Sequence, residues 1–107
     1  MFRRYNMDTK ELQRLQTELD KEYWQHKDLP IPEQIRHSTL HLVKLLGKLG
    51  TYCEQQEHGI DYPLTQIIEE VIPDLLSHSL RFSNLLNPEL EKLYQDRLKK
   101  IKERYNI

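Results

Sequence analysis

The chain has 107 residues, of which 31% are charged and 37% are hydrophobic. This length is typical of one domain with a modest core, and a second subunit often adds burial at this size. We therefore expect a single domain over residues 1–107 that forms a homodimer or homotetramer. The 16 basic and 17 acidic side chains nearly balance, so nothing in the composition indicates nucleic acid as a partner.

Cysteine content and hydropathy narrow the class of protein further. The single cysteine, Cys53, excludes an intramolecular disulfide and a multi-cysteine zinc site, and it suits a reducing compartment. No run approaches the ~20 apolar residues of a membrane span, and residues 1–10 lack the apolar core of a signal peptide. We expect a cytoplasmic protein that has no membrane partner.

Helical spacing of apolar residues, with no segment that alternates at a period of two, predicts an all-α fold of about four helices. The first helix is predicted from about residue 9 to 26, with Asp8 as its N-cap. Residues 28–32 contain two prolines and predict a connector. The second helix is predicted over about 33–55, and residues 58–63 form the next turn.

Two further helices complete the predicted bundle. The third covers about residues 64–86. The last begins at Asn87 as N-cap, with Pro88 in the first helical position, where its missing amide hydrogen costs nothing. Residues 1–32 are expected to be a peripheral helix and connector, and residues 33–107 to form the core of the bundle.

The second helix is apolar around most of its circumference except for one narrow basic stripe. At about 100° per residue the stripe positions fall within roughly 60° of one another. Because apolar residues occupy most of the rest of the helix, we expect the stripe to face a crevice between helices and Cys53 to be a buried thiol. The stripe consists of His37, His41, Lys44 and Lys48.

Pro73 lies inside the third helix, where it removes a backbone donor and clashes with the preceding turn. We predict a kink or a local widening just before Asp74 that re-aims Glu69 and Glu70. This helix also carries a polar stripe, formed by Glu70, Asp74, Ser77, Arg81 and Asn84.

These segments resemble the MazG-like, all-α nucleoside triphosphate pyrophosphohydrolases. The resemblance rests on Leu42-Val-Lys-Leu-Leu-Gly-Lys-Leu49, a short turn, and Glu69-Glu-Val-Ile-Pro-Asp-Leu-Leu-Ser-His-Ser-Leu-Arg-Phe-Ser-Asn84, and it covers about residues 24–105. It implies a helical bundle that forms dimers or tetramers, with Mg²⁺ held by carboxylates and a triphosphate cleaved between its α and β phosphates. In that family a Glu-Glu-x-x-Glu motif on one helix is followed by Glu-x-x-Asp on the next.

The metal motifs of the family are degraded in this chain. The first motif falls on residues 44–48, where Lys44 and Lys48 replace acidic side chains, and the second falls on residues 71–74, where Asp74 is the one acidic residue. Ammonium groups repel Mg²⁺ and offer it no lone pair. We therefore expect no catalytic residue and no cofactor, and a protein that serves as a ligand-binding or protein-interaction module.

The alternative is an active pyrophosphohydrolase whose Mg²⁺ site is rebuilt from Asp74 and Glu70. Further carboxylates that could contribute to such a site are Glu54, Glu57 and Glu69.

Three interpretations of the two polar stripes remain open. In the first, Lys44 and Lys48 form cross-helix ion pairs with Glu70 and Asp74. In the second, cationic groups form an anion pocket for a nucleotide or another phosphate ligand; these are His41, Lys44, Lys48 and Arg81. In the third, a transition metal is bound by His37, His41, Asp74 and His78. The predicted cleft residues are therefore His41, Lys44, Lys48, Glu70, Asp74, His78 and Arg81.

Overall fold

The structure, a computed structural model, describes residues 7–107 and is helical with no strand over that range, which confirms the all-α prediction. Helix α1 is Thr9–Tyr23, α2 is Ile31–Glu57 and the last helix, α4, is Leu90–Tyr105. Between them, α3 is a continuous run of three segments: Leu64–Gln66, Ile67–Val71 and Ile72–Leu86. Residues 1–6 of the predicted peripheral segment lie outside the described range.

The beginnings of α1 and α2 follow from local sequence signals. The Asp8 side chain accepts a hydrogen bond from the amide of Glu11 at 2.9 Å, which confirms the predicted N-cap. Helix α1 ends at Tyr23, before the predicted boundary. Helix α2 begins at Ile31 and includes Pro32 in its first turn, where an amide hydrogen would have no helical partner. In the described part of the chain, no helix is both long and apolar enough to cross a membrane.

The middle segment of α3 is a π-helical turn, Ile67–Val71. The amide of Ile72 donates to the carbonyl of Ile67, five residues earlier, so this turn is wider than an α-helical one. The wide turn ends two residues before Pro73, whose ring would clash with the preceding turn of a regular α-helix. The predicted local widening before Asp74 is confirmed.

The predicted start of α4 at Asn87 is wrong. Asn87 has a φ of 69°, a left-handed conformation that ends α3 and does not open a new helix. Helix α4 instead begins at Leu90, whose amide donates to the Gln13 side-chain oxygen at 3.1 Å. The Gln13 amide group also donates to Asn84 and to the carbonyl of Pro88, at 3.2 and 3.3 Å. A residue from α1 therefore organises this turn.

The described chain forms two compact units, one of residues 25–79 and the other of residues 7–24 together with 80–107. The boundaries of these units differ from those of the predicted peripheral segment and bundle core, since α1 is in the same unit as the C-terminal residues. In the unit of residues 25–79, a core forms where α2 packs against the π-helical turn of α3. Its members are Leu45, Ile67 and Val71, surrounded by Leu42, Leu49, Tyr52, Tyr62 and Leu75.

One side of α2 is open to solvent, although the helix is apolar around most of its circumference. Leu40, Val43 and Leu46 are 53%, 59% and 58% exposed. Cys53 is exposed as well, so the prediction of a buried thiol is wrong. Within its unit α2 packs against the first half of α3, and one neighbouring helix covers only one side of a cylinder.

The unit of residues 7–24 and 80–107 contains an ion pair that is largely shielded from water. Arg81 donates from Nη2 and Nε to the two carboxylate oxygens of Asp20, at 2.9 and 3.0 Å. The side chains are 11% and 15% exposed. The guanidinium lies 4.1 Å from the centre of the Trp24 ring, and Gln16 donates a further hydrogen bond to Asp20. Bidentate and stacked arginines of this kind hold helices in register.

We expect Arg81→Met to lower the free energy of unfolding by about 3 kcal/mol or more, because it leaves a shielded carboxylate at Asp20 without its cation. Urea denaturation followed by fluorescence of Trp24 measures this change. The matched control is Lys92→Met, which removes an exposed pair with Asp96 and should cost no more than about 0.5 kcal/mol. Equal losses in the two variants would contradict the structural role of Arg81.

Candidate functional site

A cleft of about 450 Å³ lies in the unit of residues 25–79, between α2 and residues 64–79 of α3. It brings together six of the seven predicted cleft residues, all except Arg81. Its lining consists of His41, Lys44, Leu45, Lys48, Glu70, Asp74 and His78.

Helical spacing explains why each helix presents three polar side chains to this cleft. On α2, His41, Lys44 and Lys48 are separated by three and four residues, so they lie above one another on one face. On α3 the polar residues recur every fourth position, at Glu70, Asp74 and His78. Glu70 belongs to the π-helical turn, and Asp74 follows Pro73 directly. The widened turn is therefore part of the backbone that shapes the cleft.

An ion pair joins the two sides of the cleft. Lys48 on α2 pairs with Glu70 on α3, as one of the predicted cross-helix pairs requires. Gln66 donates to the second oxygen of Glu70 at 3.4 Å, and Tyr62 donates to Gln66 at 2.8 Å. Hydrogen bonds from Lys48 and then from Gln66 hold the pKa of Glu70 below its usual value, and they outweigh the opposing effect of partial burial. The Lys48 charge is thus neutralised within the chain.

The second predicted pair is not formed. Lys44 and Asp74 line the same cleft, but neither makes an ion pair with any residue in the range 7–107. Both side chains are exposed, and an exposed pair gains too little to hold two mobile side chains in one geometry. The cleft therefore presents an ammonium group at Lys44 and a carboxylate at Asp74 that the described residues leave uncompensated.

A contact that the sequence analysis missed fixes the ring of His78. Ser38 Oγ lies 2.5 Å from His78 Nδ1, with both residues buried, and the ring stacks near His41 with centroids 5.9 Å apart. The sequence could have indicated this contact, because Ser38 lies seven residues before Leu45 and hence on the same buried side of α2. Because its ring is held by Ser38, His78 forms a defined wall of the cleft.

Two predicted sets of residues are not assembled. Arg81 belongs to the unit of residues 7–24 and 80–107, where its guanidinium is occupied by Asp20, and it is not among the residues that line the cleft. The four residues of the proposed transition-metal set are not all brought together either, because His37 stacks on His26 at 3.7 Å and does not line the cleft. Three other carboxylates are likewise absent from the lining: Glu54, Glu57 and Glu69.

The remaining donor groups do not fit Mg²⁺. Glu70 is engaged by the Lys48 ammonium, which leaves Asp74 as the other carboxylate of the cleft, next to Lys44 on the facing helix. Mg²⁺ requires several oxygen ligands in near-octahedral geometry, and a cation in this position would meet two ammonium groups. Among residues 7–107, no group of three or more histidine, cysteine or acidic side chains is placed to hold a metal ion.

Comparison of the chain with protein-family models, curated proteins and solved structures gives no significant match. The resemblance to MazG-like enzymes therefore stays a prediction that rests on the residues quoted for it.

The lowered pKa of Glu70 predicts a definite pH dependence. Because the folded-state pKa lies below the unfolded-state value, the ion pair stabilises the fold above the unfolded-state pKa and is lost as the pH falls through the folded-state pKa. We expect Lys48→Met to raise the pKa of Glu70 towards its usual value and to weaken the acid-dependent loss of stability. Side-chain carboxyl NMR titration and urea denaturation at a series of acidic pH values measure these two effects.

Lys44→Met is the matched control for that experiment, since it removes a cleft ammonium that has no contact with Glu70. It should leave the pKa of Glu70 close to the wild-type value. A pKa of Glu70 that Lys48→Met leaves unchanged would show that the ion pair does not form in solution.

Proposed function

We propose that this protein is a MazG-like module that binds a small phosphate-bearing ligand, such as a nucleotide, without a metal ion and without hydrolysing it. The observation that carries the proposal is the ammonium group of Lys44, which lines the cleft and makes no ion pair within residues 7–107. Its neighbour Lys48 is neutralised by Glu70, so Lys44 is the cation of the cleft that is available to an anion.

The chemistry of the α2 side of the cleft suits a phosphate group. An ammonium group offers three hydrogen-bond donors, and an N–H group of a neighbouring imidazole offers another. His41 lies one turn before Lys44 on the same face, so the two side chains can approach one phosphate together. The cleft volume of about 450 Å³ lies within the range that small-molecule sites occupy, roughly 300–1,000 Å³.

The α3 side of the cleft limits where an anion can bind. Asp74 repels a phosphate group, whereas its carboxylate accepts hydrogen bonds from hydroxyl or amino groups. A nucleotide carries both kinds of group, anionic at the phosphates and hydrogen-bond donating at the sugar and base. We therefore place the phosphate beside His41 and Lys44, and the sugar or base beside Asp74.

The loss of Mg²⁺ chemistry belongs to the same proposal. A catalytic Mg²⁺ would have to neutralise phosphate charge and activate water, and it needs several carboxylates to stay bound. In this cleft the carboxylate of Glu70 already forms an ion pair with the ammonium group of Lys48. Lys44 takes over part of the charge neutralisation but cannot activate water, which supports binding without turnover.

Oligomerisation is also part of the proposal. Among the described residues, the buried hydrophobic side chains are Leu45, Ile67, Val71 and Leu80, a small core for a chain of this length. Large apolar side chains remain exposed on every helix. A homodimer or homotetramer would supply the burial that the single chain lacks.

We expect wild-type protein to bind nucleoside triphosphates in the presence of EDTA, and Lys44→Met to weaken that binding about tenfold or more, equivalent to ~1.4 kcal/mol. Isothermal titration calorimetry measures the affinity, and thermal denaturation confirms that folding is unaffected because Lys44 is exposed. Lys100→Met, which removes an exposed ammonium from α4, is the matched control and should retain wild-type affinity. Asp74→Asn should bind phosphate at least as tightly as wild type.

A Mg²⁺-dependent assay tests the alternative of an active enzyme with a rebuilt metal site. Turnover of a nucleoside triphosphate that requires Mg²⁺ and is abolished by Asp74→Ala would contradict the proposal. Binding that appears only when Mg²⁺ is added would contradict it as well.

A further inference from the structure

An apolar face of α2 lies open to solvent, with its midline turned by about 80° or more around the helix from each α2 residue of the cleft lining. Leu40 and Val43 are more than half exposed, and Gly47 and Gly50 are exposed as well. At about 100° per residue these four positions fall within roughly 80° of one another. We call this surface the α2 face. In a chain that is 31% charged, about three consecutive turns of helix with such a surface indicate a docking site.

The two glycines make the α2 face flat at one end. A Cβ atom placed on Gly47 or Gly50 would meet no atom within 4 Å, so no residue in the range 7–107 packs against them. Each glycine lowers the stability of a helix, which makes two of them within α2 costly unless a partner approaches closely there. The other end of the face carries the larger side chains of Leu40 and Val43. The face therefore has a raised half and a flat half.

Opposite charges mark the two ends of the α2 face. Arg36 and Glu54 lie on its midline, nine positions before and nine positions after Leu45. Because eighteen residues make about five complete turns of an α-helix, the two side chains point in the same direction. Arg36 has a long, exposed contact with Glu33 at 3.8 Å, and Glu54 has no ion-pair partner within residues 7–107.

These features are complementary to a second copy of the same face in antiparallel orientation. A two-fold axis at the level of Leu45 places Arg36 of each copy beside Glu54 of the other. The same rotation places Leu40 of one copy at the height of Gly50 of the other, and Val43 at the height of Gly47. The half of the face with large side chains in each copy therefore meets the glycine half of the other copy. Parallel pairing would instead put like charges together at both ends.

We propose that the protein forms a two-fold symmetric homodimer in which the α2 faces of two copies pack antiparallel. The occupant of the face is a second copy of this chain, selected by the Arg36 and Glu54 charges and by the fit of large side chains over glycines. Small residues let two helix backbones approach closely, which increases van der Waals contact between the helices. The cleft residues of α2 lie about 80° or more around the helix from the midline of this interface, which leaves them to bind a ligand.

Charge reversal tests the register of the dimer. Arg36→Glu and Glu54→Arg should each raise the dimer dissociation constant by about tenfold or more, because each puts like charges together twice in the dimer. The double variant Arg36→Glu with Glu54→Arg should restore dissociation close to wild type. Sedimentation equilibrium at low ionic strength measures the three constants. Wild-type protein that stays monomeric, or a double variant no tighter than the single ones, would overturn the proposal.

Gly50→Leu separates an effect on the interface from an effect on folding. Leucine favours helix more than glycine does and meets no atom within 4 Å at this position, so the monomer should be at least as stable as wild type while the dimer is lost. Lys99→Leu, which adds the same side chain to an exposed position of α4, is the control and should leave the dimer intact. A Gly50→Leu protein that dimerises like wild type would contradict the proposal.

Cross-linking in a Cys53→Ser background distinguishes antiparallel from parallel packing. The double variant Arg36→Cys with Glu54→Cys should form an intermolecular disulfide on mild oxidation. Arg36→Cys by itself should not, because the two copies of position 36 lie about 27 Å apart along the antiparallel pair. Efficient cross-linking of the single variant would show parallel packing and overturn the proposal.

Discussion

The missing amide hydrogen of Pro73 is the constraint on which the arrangement of the cleft depends. A regular helix cannot continue through this position without losing a hydrogen bond and accepting a clash, and the chain responds with the π-helical turn Ile67–Val71. Val71, at the end of this turn, is fully buried against α2, while Glu70 beside it reaches Lys48. One backbone adjustment thus serves both the apolar core and the ion pair that crosses the cleft.

The two ion pairs that involve Arg81 and Lys48 differ in how far they are shielded from water and in what they do. The shielded pair of Arg81 and Asp20 uses both oxygens of the carboxylate and a stacked tryptophan, so its cation has a structural role. The pair of Lys48 and Glu70 is more open to water and removes one positive charge from the cleft. Lys44, one turn away, has no ion-pair partner among residues 7–107. The fold therefore gives these three basic side chains three different environments.

Sequence-based prediction succeeded where the signal is local and failed where a distant residue decides. The N-cap at Asp8 follows from its own side chain and an amide three residues later. The start of α4 was mispredicted at Asn87 because Gln13, from the first helix, supplies the hydrogen-bond acceptor at Leu90. The exposure of Cys53 was missed for a related reason, since periodicity shows which side of a helix is apolar but not whether a neighbour covers it.

By itself the sequence determined the all-α class, the widened turn before Asp74 and the two polar stripes, because each depends on hydrogen bonds or spacings within a few residues. Only the tertiary structure decided which members of the stripes meet: Lys48 with Glu70, Ser38 with His78, and Arg81 with Asp20. Such partners lie far apart in the chain, and they meet only when helix packing sets the distance between their backbones. That packing left Lys44 without an ion-pair partner among residues 7–107, and it left Leu40, Val43 and Leu46 of α2 exposed.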